Sequence, residues 1–170
     1  LGSVTYQVGG TTYTTSYTYD AVFRWQVKDV AQPNGGRTRY LYDVHGRLDQ
    51  IKAADPISTG VGATVKDYDY GDTNNPFYVD EKNLAVNAAN PPTMRTFYDA
   101  LGRPLQVRRF NVSSDFNTAV VDVEYDALGQ RTCETAPLNL TPVTFNAALD
   151  CATEPQRMTY QYDTLGEQVG

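Results

Sequence analysis

Bulky side chains recur at every second position in short runs along the chain. Tyr17-Thr18-Tyr19, Tyr40-Leu41-Tyr42, Val123-Glu124-Tyr125 and Tyr160-Gln161-Tyr162 each place two large residues at i and i+2. Residues two apart in an extended chain share one face of a sheet. The pattern therefore predicts strands carrying aromatic or branched side chains on one side. Leu105 and Val107 keep the alternation, whereas Leu48 and Ile51 break it and predict a twist or bulge there. Pro104 has no N–H for a ladder, so it belongs at an edge or beside a bulge. The run from Val22 to Val27 also reads as a strand, with Trp25, the sole tryptophan, in core or inter-sheet packing.

Three of these runs end in one recurring phrase: an aromatic, Asp, two residues, then Gly. It reads Tyr42-Asp43-Val44-His45-Gly46, Tyr98-Asp99-Ala100-Leu101-Gly102, Tyr125-Asp126-Ala127-Leu128-Gly129 and Tyr162-Asp163-Thr164-Leu165-Gly166. Weaker copies stand at Tyr19-Asp20 and Tyr68-Asp69. Asp opens a type I turn because its carboxylate accepts N–H groups two residues on. Gly three positions later enters the left-handed region without a Cβ clash. The two together predict a hairpin tip with a bulge. Phe23 stands where the first copy should have Gly, which predicts a longer or differently shaped turn. Tyr68-Asp69-Tyr70-Gly71-Asp72 brings its Gly forward by one. Residues 74–90 read as an irregular excursion, with a turn of helix over 82–89.

The spacing between successive aspartates runs from 23 to 37 residues, which suits one supersecondary unit per repeat with loops of varying length. The predicted fold is all-β: ten to twelve short strands in consecutive antiparallel hairpins, forming a curved sheet over residues 1–170. A sheet of about ten strands tends to curl or split, and its terminal strands would offer edges to other chains.

Composition narrows the function. The chain has 170 residues, 13 of them tyrosine, and a net charge of −6 with both signs interspersed. Beyond Arg108-Arg109 there is no basic cluster, so nucleic acid is not an expected partner. No apolar run approaches the roughly 18 residues of a membrane span. Leu1-Gly2-Ser3 lacks Met and a signal-peptide pattern, and the expectation is an interior piece of a longer polypeptide. Cys133 and Cys151 enclose a segment rich in Pro, Asn and Thr. They read either as two buried thiols or as a disulfide pinning a 133–151 insertion; a disulfide would imply an oxidising compartment.

The phrase Tyr98-Asp99-Ala100-Leu101-Gly102-Arg103 resembles the YD repeat of the Rhs (rearrangement hotspot) family. The copies ending at Arg47 and Arg131 are similar, with Gln130 inserted before Arg131. The resemblance runs from about residue 17 to 166, and four copies in register make it specific. The 133–151 segment also looks like an insertion found between repeats in some bacterial members. The resemblance implies hairpins joined into a spiralling sheet that forms a hollow shell. In Rhs proteins and related toxin-complex components the shell encloses a C-terminal toxin, and teneurins use a similar barrel at the cell surface. By that likeness the chain is an arc of a shell wall. Its partners would be the rest of the shell and an enclosed toxin or other cargo, and its location secreted or at a bacterial cell surface. The family's Asp-Pro-x-Gly-Leu type self-cleavage motif is absent from the sequence, and no toxin domain is recognised in it.

Candidate chemistry is sparse. His45, the only histidine, occupies a turn position where sibling copies carry Leu101, Leu128 and Leu165, and it reads as a solvated residue without the partner a general base needs. The carboxylates of Asp67, Asp69 and Asp72 lack the twelve-residue loop and terminal Glu of a calcium site, and read as a solvated hairpin tip. Arg47, Arg103 and Arg131 follow the glycines; in those positions they would stack on a neighbouring Tyr or pair with an Asp of the next hairpin. No catalytic residue, metal or cofactor is expected, and the chain does not read as an enzyme. The alternative to a shell wall is a secreted or cell-surface module that binds carbohydrate or protein on its tyrosines.

Overall fold

The structure is a computed structural model and describes residues 2–54, 62–111, 118–139 and 144–169. Among them are thirteen strands and no α-helix: β1 (Gly2–Val8), β2 (Thr11–Tyr19), β3 (Val27–Ala31), β4 (Arg37–Tyr42), β5 (Leu48–Ala54), β6 (Ala63–Tyr70), β7 (Phe77–Asn83), β8 (Thr93–Tyr98), β9 (Pro104–Phe110), β10 (Thr118–Tyr125), β11 (Arg131–Thr135), β12 (Leu138–Asn139) and β13 (Arg157–Thr159). A single 3-10 turn covers Cys151–Thr153. Strand order follows chain order from β1 to β11 and then β13, while β12 pairs with β10. The fold is thus all-β and built from consecutive antiparallel hairpins.

The chain divides into two units, Leu1–Tyr68 with Asn83–Ala89, and Asp69–Lys82 with Asn90–Gly170. In the first unit, β1 and β2 are joined by Gly9 and Gly10, both at positive φ, as a two-residue hairpin loop requires. Thr5 faces Thr14 and Gln7 faces Thr12 on one side of this ribbon, with side-chain hydrogen bonds of 3.1 and 3.3 Å. Tyr6 stacks on Tyr13 on the other side, ring centroids 5.3 Å apart. Between β3 and β4, Arg39 forks onto Asp29. Register shifts fall between Leu41 and Tyr42 and between Ile51 and Lys52, where the alternation of β5 predicts a bulge.

All fully buried side chains among the described residues lie in the second unit, and they are mostly polar. Phe97, Val120, Val123, Cys133 and Cys151 are joined there by Asp80, Thr93, Thr96, Gln106, Arg108, Asp122 and Thr135. Antiparallel register explains the grouping. Tyr78 faces Phe97, Phe97 faces Gln106 and Gln106 faces Asp122, while Asp80 faces Arg95 and Arg95 faces Arg108. Two rows therefore cross β7 to β10 on one face of the sheet. Pro104 lies opposite Tyr98 beside the register shift after Phe97, where its missing N–H disturbs no regular ladder.

Three sequence expectations are corrected. Residues 77–83 form strand β7 paired with β8, and 84–86 form a turn, so there is neither an irregular excursion throughout 74–90 nor a helical turn over 82–89. Val22 to Trp25 belong to the long Asp20 turn, and Trp25 is 77% exposed with its edge toward Phe23. That turn is closed by Asp20 N–H to the Gln26 carbonyl at 2.9 Å, which leaves no strand for Trp25 to join. Asp67 and Asp69 lie within β6 rather than at a hairpin tip; Gln50 donates to Asp67 and Lys82 pairs with Asp69.

Candidate functional site

The recurring turn is the most repeated construction in the molecule. Oδ1 of Asp43 accepts from the N–H groups of His45 and Arg47, each at 2.9 Å. Asp99 accepts from Leu101 and Arg103, also at 2.9 Å. Asp126 accepts from Leu128 and Gln130, and Asp163 from Leu165 and Glu167, at 2.8–2.9 Å. The glycine N–H returns to the aspartate carbonyl at 3.0–3.1 Å in all four. Gly46, Gly102, Gly129 and Gly166 have φ between 80° and 84°, the left-handed region that excludes a comfortable Cβ. One carboxylate thus satisfies two backbone donors that the reversal would otherwise leave to water.

The arginines tighten these turns. Nε of Arg47 donates to Asp43 at 2.8 Å and Nε of Arg103 to Asp99 at 2.7 Å. These ion pairs lie inside a single turn, a correction to the expected pairing with the next hairpin. Burial works to raise the Asp43 carboxyl, but the N–H and guanidinium of Arg47 and the N–H of His45 outweigh it and hold it below the ordinary range. The Arg103 N–H, above all, holds Asp99 low. Arg103 also lies over the ring of Tyr125 in the following copy. Arg131 departs from this pattern: Gln130 fills the position after Gly129, and Arg131 pairs with Glu134 at 2.6 Å, with its guanidinium 6.0 Å from the Tyr160 ring centre.

The tyrosines link copies through the backbone. Tyr42 donates its hydroxyl to the Val27 carbonyl at 2.7 Å, Tyr125 to Pro104 at 3.0 Å and Tyr162 to Arg131 at 2.9 Å. Each acceptor is the first residue of the strand that leaves the preceding turn. Tyr98 instead stacks on Phe77, centroids 5.1 Å apart. Burial raises the pKa of Tyr42 and Tyr125.

The weaker copies are built differently. Asp20 accepts from Val22 and Phe23 at 2.8 and 3.0 Å, and the Phe23 ring packs against Gly46. Gly71 is buried because the Tyr78 ring lies where its Cβ would stand, 2.3 Å away. Close approach, rather than φ, demands glycine there.

Cys133 and Cys151 form a disulfide. Of the 133–151 insertion, residues 140–143 lie outside the described residues. The part from Thr144 onward rests on the sheet. Phe145 packs on Phe97 with centroids 5.5 Å apart. Asn146 and Gln106 exchange two hydrogen bonds, 2.7 and 3.1 Å, and the Cys151 N–H donates to Glu124 at 2.7 Å. Beneath, Gln106 donates to Asp122 at 2.8 Å and Arg108 donates to Gln106 at 3.1 Å. Burial pushes the Asp122 carboxyl up to about 6, against the opposing Gln106 hydrogen bond. Sequence reasoning missed Gln106, Arg108 and Asp122. Their alternation with Val107, Val121 and Val123 reads as a polar solvent face, and nothing local reports that a segment forty residues away covers it.

His45 is an exposed turn residue. Among the described residues no group of three metal-ligating side chains gathers, and no helix is long and apolar enough to cross a membrane.

No protein-family model matches the chain, and no curated protein matches it. Solved structures do. A crystal structure of TcdB2-TccC3-Cdc42 is 19% identical with a TM-score of 0.44, over 90% of this chain and 9% of that one. A crystal structure of TcdB2-TccC3 gives the same values. A Photorhabdus luminescens Tc holotoxin pore carrying a TccC3 mutation is 18% identical with a TM-score of 0.44, over 92% of this chain and 9% of that one.

Proposed function

We propose that the chain is a wall segment of a YD-repeat shell of the Rhs type, which encloses a C-terminal toxin or other cargo. The observation that carries this reading is the repeated unit itself. Its aspartate closes a turn, its arginine braces that turn, and its tyrosine is tied to the carbonyl after the preceding turn. Such a unit adds hairpins in series without a catalytic centre, and a continuous sheet satisfies its own backbone while excluding what lies behind it. The role is structural rather than enzymatic, and the partners are the rest of the shell and its cargo. A secreted or bacterial-surface location fits that reading, as does the disulfide.

Limited proteolysis of the full-length parent tests it. A downstream domain that resists protease inside the parent and is cleaved readily when free supports the wall. Equal cleavage in both settings overturns it. The alternative, a glycan- or protein-binding face, needs exposed tyrosines, and only Tyr6 and Tyr19 of the thirteen are exposed. Tyr6 turns its ring face onto Tyr13.

A further inference from the structure

The segment after β12 covers side chains that water would welcome. Gln106 is 1% exposed and Asp122 6% exposed, yet both are polar, and one is a carboxylate charged above its raised pKa. Burial of a charge is unfavourable unless it is closely paired. Apolar contact between cover and sheet includes Phe145 on Phe97. Further ties are the two Asn146–Gln106 hydrogen bonds, the Cys151 N–H on Glu124, and the disulfide. Lifting the cover would hydrate Gln106 and Asp122 and take Asp150 away from a carboxylate that it opposes. Closure therefore sets these ties against the hydration of Gln106 and Asp122.

The strands that frame the segment have ladders of their own besides the disulfide. Glu134 faces Met158 and Thr135 faces Arg157 across β11 and β13, and the Ala136 N–H donates to the Gln156 carbonyl at 2.8 Å. β9 and β10 pair over five residues, and β10 and β11 over three.

We propose that residues 144–153 form a thiol-sensitive cover: bonded to Cys133 they stay on β9–β11, and on reduction they leave that face, exposing Phe97, Gln106, Asp122 and Glu124 while the hairpins remain paired. The chemistry is thiol–disulfide exchange. A thiolate of a dithiol or glutathione-class reductant attacks one cysteine sulfur, breaking the S–S bond and forming a mixed disulfide. A second reductant thiol displaces the remaining cysteine. Two electrons and two protons pass to Cys133 and Cys151, and the reductant leaves as its own disulfide. Cys133 is 3% exposed and Cys151 0%, so attack waits on transient lifting of the same cover, and the rate of reduction reports that opening.

Hydrogen–deuterium exchange on the full chain tests this, comparing the oxidised protein, protein reduced with a phosphine, and a Cys133→Ser/Cys151→Ser variant. Free thiols are counted by alkylation and mass. Exchange at residues 144–153 should rise at least tenfold in both thiol-free states, while residues 106–109 and 119–122 keep their protection. Unchanged protection of 144–153 after complete reduction overturns the proposal. So does joint loss of protection across β9 and β10, which would make the disulfide a staple of the whole sheet. If the double variant does not fold, the reduced wild-type chain decides the matter alone.

Discussion

The guanidinium of Arg103 lies 4.6 Å from the ring centre of Tyr125 while its Nε holds Asp99 at 2.7 Å. One side chain thereby braces its own turn and bears on the aromatic of the next copy, whose hydroxyl reaches back to Pro104. Tyr125→Phe should cost about 1 kcal/mol for the lost hydrogen bond. A double-mutant cycle between Arg103→Ala and Tyr125→Ala should show a coupling of roughly 0.5–1 kcal/mol in urea unfolding. Strict additivity would mean that the contact links nothing.

Glycine replacements should rank by what the new Cβ meets. Gly102 has φ +80° and open space around it, so Gly102→Ala should cost about 1–2 kcal/mol from backbone strain alone. Gly129→Ala adds a clash with the tip of Arg103, 2.8 Å away, which a flexible side chain relieves, so its cost should be similar. Gly71→Ala drives a methyl into the Tyr78 ring and should cost roughly 3 kcal/mol. Thermal unfolding that found Gly102→Ala the worst of the three would contradict this order.

Stability should respond to pH with two opposite signs. The Asp122 carboxyl rises from 3.8 to about 6 on folding, so the folded chain binds that proton more tightly. Its contribution is greatest below pH 4 and is lost as pH rises through 6. Asp29, Asp43 and Asp99 lie below 3.8 when folded, so what they add is present above that value and lost as pH falls through their folded pKa. Asp122→Asn should stabilise the protein at pH 7 by on the order of 1 kcal/mol and flatten the decline between pH 4 and 6. A decline of unchanged slope in the variant would assign it to another group.

Asp80 and Arg95 form a fork of two 2.7 Å hydrogen bonds, with the guanidinium 4.0 Å from the Tyr78 ring centre. Breaking a covered pair from one side leaves a stranded charge. Asp80→Asn should therefore cost roughly 3 kcal/mol in chemical denaturation. Asp29→Asn, which breaks the more open Arg39 pair, should cost about 1 kcal/mol. Equal costs would show that cover does not set the strength of these pairs.

The turns were legible because their causes are local. Asp43 and Gly46 stand three residues apart, and the carboxylate and the positive φ need nothing further away. β7 was not legible: Asp80 and Lys82 make Phe77–Asn83 look like loop, and they belong in a strand only because Arg95 and Asp69 lie across from them. Trp25 was misread because an apolar side chain suggests a core, while the Asp20 turn that exposes it is set by Gln26 closing the loop. Gln106 was invisible as a buried group because its partner Asn146 arrives from forty residues on. The alternatives left open at Cys133 and Cys151 were a matter of distance, and their Cα atoms lie 6.0 Å apart.

Strand order that follows chain order has a consequence for biosynthesis. Through β11, each ribbon can dock on the one translated just before it, so the sheet can assemble vectorially as the polypeptide leaves the ribosome. By the same logic, duplication or deletion of a whole hairpin changes the reach of the protein while every remaining partner stays beside its own neighbour, a modular route by which such a gene can lengthen or shorten its product.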